Sequence, residues 1–298
     1  MAENRPAMND VIGRTAALVT ASYGPDFERC RLLCETVDRH VTGHSHHYLL
    51  VASNDMALFR QLEGPRRSVV DERDLLPGWL RSLPDPLSGF RKRIWLSPRT
   101  LPLRGWHVQQ LRRMAIASHV REDGLVYCDS DVAFLRPFDC RAIWRGGDLR
   151  LFRRDGALAR DGLEEQRRWA ANAGRVLGLS APARHDYIAT VIAWRRDSAV
   201  EMCRHVEAVT GRHWVSAVAA GRQFSECMIY GRYADEVLEG RGHFGTSEEL
   251  CRVYWSGPIP DDQEFRRFVD EMGPGQVAIG IQSFIGTDVG KIRRLIEA

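Results

Sequence analysis

Two aspartates one residue apart, Asp129 and Asp131, follow an unbroken apolar run, Gly124-Leu125-Val126-Tyr127-Cys128. Carboxylates so spaced at the end of a buried strand can converge on a hard divalent cation, Mn²⁺ or Mg²⁺, through oxygen ligands. Such a cation serves reactions that expel a diphosphate, because negative charge develops on its oxygens as the bond breaks. Two solvated turn aspartates would have the same spacing, so the frame around them matters. Here Ser130 separates the acids, a second apolar stretch fills 132–135, and Arg136-Pro137-Phe138-Asp139 closes the segment.

Other residues qualify by type and place. Gln110 and Arg113 lie on an expected helix just before the aspartate strand, where they could face a sugar or a phosphate; a solvated helix face accounts for them equally well. Glu226 follows Ser225 at an expected helix start. A carboxylate there could act as general base on a hydroxyl, yet serine at the N-cap with glutamate in the first turn is also what capping and the helix dipole favour.

The elements that must position these groups read as alternating strand and helix, the order that builds a mostly parallel sheet flanked by helices. Strands are expected at 15–20, 48–52, 68–70 and 124–128, and helices from Asp26 to about 40, at 54–62 and at 105–120. Residues 74–104 hold five prolines, two glycines and Arg91-Lys92-Arg93, and read as an irregular loop or lid. Further on, strands are expected at 149–152, 187–194 (interior, being apolar on both faces) and 277–281. Helices are expected at 163–177, 198–209, 225–233 and 262–272, with a closing helix. The aspartates therefore end a strand, where open α/β sheets place their ligands. No linker divides the chain, which reads as one domain with halves 12–140 and 141–298.

With strand, aspartate pair, apolar stretch and Pro-x-Asp closure in place, the segment 124–139 resembles the GT-A family of nucleotide-sugar glycosyltransferases. Gly105-Trp106, Gln109-Gln110 and the opening Leu18-Val19-Thr20-Ala21-Ser22-Tyr23-Gly24-Pro25-Asp26 carry the same likeness, which covers roughly 15–140. It implies a GT-A, Rossmann-like fold, a nucleotide-diphosphate sugar donor, and a glycan, lipid-linked or small-molecule acceptor. By it, Asp131 would ligate the metal, Asp129 and Ser130 would meet the ribose or the metal's water shell, and Thr20, Ala21, Ser22 and Tyr23 would lie along the nucleotide. A third ligand, often histidine, is implied in the second half; His243 between glycines is the first candidate, and His185 beside Asp186 the second. Glu226 would be the base of an inverting enzyme.

Composition narrows the alternatives. A chain of 298 residues with 44% hydrophobic content can bury a large core, and its formal charge of +3 has no long basic run for a nucleic-acid arm. Seven cysteines without paired spacing read as reduced thiols. No apolar run spans a bilayer and the opening residues are polar, so a cytoplasmic protein is expected, with peripheral membrane attachment left open. A haloacid-dehalogenase-type phosphatase would use Asp129 and Asp131 with a later lysine, of which only Lys291 follows. A sugar-nucleotide binder without turnover keeps the same residues, whereas a nucleotidyltransferase would be expected to carry a Gly-rich basic loop after strand one.

Overall fold

A computed structural model of the chain describes residues 13–297, so the polar opening, 1–10, lies outside the described residues. In chain order come β1 (Ala16–Ala21), α1 (Phe27–His40), β2 (His46–Val51), β3 (Arg67–Asp71), α2 (Gly105–Ala115) and β4 (Gly124–Cys128). The later half adds β5 (Val132–Phe134), β6 (Asp148–Phe152), α3 (Glu164–Leu177), β7 (Val191–Arg195), α4 (Arg196–Thr210) and α5 (Glu226–Arg232). Then follow β8 (His243–Thr246), β9 (Cys251–Tyr254), α6 (Asp262–Asp270), β10 (Ala278–Ile281) and α7 (Val289–Glu297).

Five strands form the central sheet in the order β7-β4-β1-β2-β3, all parallel except β7, which runs against β4. The chain moves outward from β1 through β2 to β3, then returns to the other side of β1 for β4. That reversal makes the carboxyl ends of β1 and β4 a topological switch point, the place where open α/β sheets bind their ligands. Alternate side chains feed two cores. Ala17, Val19, Leu125, Tyr127, Ile192 and Trp194 pack on one face, and Ala16, Leu18, Val126, Cys128, Val191 and Ala193 on the other.

Burial on both faces explains why 187–194 reads as an interior strand. In the hydrogen-bond order it is an edge, antiparallel to β4, and the strand begins only at Val191. Several further strands escaped the sequence reading, β5, β8 and β9 among them. β5 joins a small sheet with β10 and β9, and β8 pairs in parallel with β6. The later half thus completes sheets around the earlier one, with β7 in the central sheet and β10 against β5. The expected helix at 54–62 is a succession of short turns.

Residues 74–104 are more ordered than their prolines suggest. Arg81–Pro84 and Arg93–Leu96 form a two-stranded antiparallel hairpin, and Leu103 pairs back onto Trp95. The buried Trp95 donates its indole N–H to the Glu72 carboxylate at 3.1 and 3.2 Å, and Glu72 pairs with the buried Arg112 of α2 at 2.9 Å. A buried ion pair with a shared indole donor fixes the hairpin's root to α2. All seven cysteines are buried and none forms a disulfide. Among the described residues no helix is long and apolar enough to cross a membrane.

Candidate functional site

Val19 of β1 stands opposite Tyr127 of β4, so the two chains leave the sheet side by side. Past β4 the backbone turns at once, the Val132 N–H donating to the Asp129 carbonyl at 3.3 Å. β10 arrives from the far end of the sequence and holds the turn. The Ile281 N–H donates to the Asp131 carbonyl at 3.2 Å, and the Ser283 N–H donates to Asp131 Oδ2 at 3.1 Å. Asp131 Oδ1 is buried without a hydrogen-bond partner among the described residues. An orphaned carboxylate oxygen is costly, and a proton, a water or a cation would each satisfy it.

The electrostatics point the same way. Burial first, then the neighbouring carboxylates of Asp129 and Asp26, push the Asp131 carboxyl up to about 7. Burial also raises Asp129, with Arg113 opposing and Glu226 adding to the rise. Asp26 is raised by burial, against Arg29 and a hydrogen bond to Ser130. Crowded like charges with poor solvation disfavour ionisation unless a positive group joins them.

One positive group is built in. Arg113, on α2, places Nη1 3.2 Å from Asp129 Oδ1 and 3.1 Å from Glu226 Oε1. Burial works against the guanidinium's charge, but Glu226 and Asp129 more than offset it and its pKa is raised. Its Nε and Nη2 are buried without hydrogen-bond partners among the described residues, and the guanidinium lies over the Tyr127 ring, 5.1 Å from its centroid. Glu226 is N-terminal in α5, where Ser225 caps the Met228 N–H at 3.4 Å. Gln110 Oε1 in turn accepts from the Glu226 N–H at 3.0 Å. Helices α2 and α5 are thereby tied at the residues that carry the charges.

Several expected site residues are placed otherwise. His243 opens β8 beside Leu149, at the Gly124 end of the sheet, while the aspartates leave the opposite end of β4. Five residues of strand separate the two ends, roughly 13 Å at ~3.3 Å per residue. Both its ring nitrogens are engaged, Nε2 with the Tyr230 hydroxyl at 2.8 Å and Nδ1 with the Arg241 carbonyl at 3.0 Å. Hence His243 is a core histidine, not a third ligand. His185 Nδ1 accepts from the Gly156 N–H at 3.1 Å and faces Asp155. Thr20 is fully buried, bonded to His47 at 3.0 Å and Cys128 at 3.2 Å, so it cannot line a nucleotide. Ala21 is buried, with its carbonyl accepting from Gln109 at 3.3 Å, and Ser22 is buried behind it. Tyr23 stands half-exposed at the mouth. Gln110 is spent on Glu226 and on the Trp106 carbonyl, not on an open face.

Other residues of the site went unrecognised. Asp26 reads as a helix cap, but its side chain makes no capping bond and faces Ser130 and Asp131 instead. Arg29, one turn on, donates to the Ile281 carbonyl at 3.3 Å and the Thr287 carbonyl at 2.7 Å, pinning the segment that brings Ser283 to Asp131. An aspartate after a strand-ending Gly-Pro is the signal that could have marked Asp26; Ser283 carries none. Lys291 donates to the Pro260 carbonyl at 2.6 Å and pairs with Asp262 at 3.1 Å, so the lysine that the phosphatase reading needs is engaged with other partners than Asp129 and Asp131.

Among the described residues no three or more Asp, Glu, His or Cys side chains form a ready cage for a metal. One or two carboxylates that complete their shell with substrate phosphates are the usual Mg²⁺ arrangement, and the orphaned Asp131 oxygen fits it. No curated protein matches the chain. The matching family model spans residues 12–272, and so takes in Asp26, Arg113, Asp129, Asp131 and Glu226. The chain belongs to DUF6492, a family of unknown function.

Proposed function

We propose that the protein is a metal-dependent glycosyltransferase of the GT-A type, taking a sugar from a nucleotide-diphosphate donor to a hydroxyl acceptor. The observation that carries this reading is Asp129-Ser130-Asp131 at the switch point, with one buried oxygen of Asp131 unsatisfied. Asp131 would hold the Mn²⁺ or Mg²⁺, and Asp129 would lie within reach of its water shell or of the ribose. The cation supplies charge neutralisation on the departing diphosphate. Arg113, whose Nε and Nη2 are unpartnered, would turn those N–H groups toward phosphate oxygens, and the half-exposed Tyr23 ring offers a face to the base.

Glu226 serves here as a positioning group. Its carboxylate is buried and engaged by Arg113, and its backbone is fixed by Gln110, so it sets the guanidinium's direction. The acceptor hydroxyl's proton would then pass to an oxygen of the departing diphosphate rather than to Glu226. Thermal-shift measurement with nucleoside diphosphates and sugar nucleotides, with and without Mn²⁺, tests the reading, followed by assay of nucleoside diphosphate release. Stabilisation that requires nucleotide and metal together is expected. Absence of metal-linked binding by every nucleoside diphosphate would overturn the proposal.

A further inference from the structure

The hairpin of 81–96 carries a surface that the site does not use. Leu87 is 88% exposed and Phe90 70%, at the very tip. Cross-strand partners share a face, so the pairs Arg81 with Leu96 and Leu83 with Ile94 lie on one side, and the buried Trp95 on the other. Leu83, Ile94 and Leu96 therefore form an apolar stripe on one face, with Leu87 and Phe90 exposed at the tip beyond it.

The tip is built, not slack. Phe90 has φ of 63°, a left-handed conformation that an aromatic residue adopts at a cost. It is held there by its N–H on the Asp85 carbonyl at 3.0 Å, with the Leu87 N–H on Asp85 Oδ1 at 3.1 Å and the Lys92 N–H on Ser88 Oγ at 2.9 Å. Asp85 is wholly buried and paired with Arg104. It is the one acid within 81–104, against six bases, Arg81, Arg91, Lys92, Arg93, Arg99 and Arg104. Exposed apolar side chains at a rigid tip, collared by Arg91 and Lys92 with no exposed acid, complement an apolar layer beneath anionic head groups.

We infer that this hairpin docks the protein on an anionic phospholipid surface, Leu87 and Phe90 entering the acyl boundary while Arg81, Arg91 and Lys92 meet the head groups. The inference is independent of the reaction catalysed. Sedimentation of the full chain with phosphatidylglycerol vesicles, and with phosphatidylcholine vesicles as reference, tests it. Binding to the anionic vesicles alone, weakened by salt, is expected. Leu87→Ser with Phe90→Ser should lower that affinity about 10- to 100-fold. Arg91→Gln with Lys92→Gln should lower it about 30-fold, from roughly 1 kcal/mol per charge. Melting temperatures should not move, since all four side chains are exposed. No sedimentation, equal sedimentation with phosphatidylcholine, or undiminished binding by both variants would overturn it. So would a dimer in solution that Phe90→Ser dissociates, because the stripe would then be an interface between copies.

Discussion

Replacing Asp131 by asparagine should push stability and binding in opposite directions. The amide keeps the shape, and its oxygen can still accept from the Ser283 N–H. What it removes is a carboxyl raised to about 7 by burial, Asp129 and Asp26. A carboxyl with a folded pKa above its unfolded value near ~4 binds more protons in the fold. Stability is then lost as pH rises through the window from about 4 to about 7, and stays lost above it. The asparagine variant lacks that loss. At pH 8 without metal it should be more stable than the parent by on the order of 2 kcal/mol, after allowance for partial solvation, or roughly 4 °C in Tm. With Mn²⁺ and nucleoside diphosphate at about 100 times the parent's Kd, the parent should gain about 2.7 kcal/mol, roughly 5 °C. A hundredfold loss of affinity in the variant leaves about 0.4 kcal/mol, roughly 1 °C. Differential scanning fluorimetry at pH 5 and pH 8, with and without Mn²⁺, reads all of this. A variant that is no more stable at pH 8, or that keeps the full Mn²⁺-dependent shift, refutes the assignment of Asp131 as an uncompensated cation ligand.

Glu226→Gln keeps an oxygen for Arg113, so transfer should fall by no more than about 10-fold; a loss of about 10² to 10⁴ in kcat with donor KM unchanged would restore it as the base. Arg113→Met should weaken nucleotide binding and also leave Asp129 and Glu226 without their shared cation, costing about 3 to 5 kcal/mol in denaturant unfolding. His243→Leu should cost about 1 to 3 kcal/mol by removing one of the two partners of the Tyr230 hydroxyl, which still accepts from the Arg195 N–H, while the Mn²⁺-dependent thermal shift persists; loss of that shift would make His243 a metal ligand. Gly231→Ala puts a Cβ 2.1 Å from the Tyr187 ring. Its destabilisation should be about 1 to 3 kcal/mol by urea titration, and an unchanged midpoint would mean α5 is free to shift.

The sequence by itself determined what near neighbours decide. Alternation of strand and helix, the apolar run of β4 and the aspartates closing it all follow from periodicity and from where an apolar stretch stops. These are local properties, legible because each residue's preference depends on the few beside it. Tertiary structure alone decided which of the candidate side chains meet. His243 between glycines reads as a candidate third ligand, but strand pairing puts β8's first residue at the other end of the sheet from Asp131. Thr20 points into the core because both faces of β1 are covered by packed elements. Asp26 turns from capping its own helix to facing Asp131, and Ser283 reaches Asp131 across 152 residues. Glu226 meets Arg113 only because Gln110 ties two helices more than a hundred residues apart. Such meetings depend on register, crossover and loop closure. Those are set by burying the whole apolar surface at once, and no short window of sequence contains them.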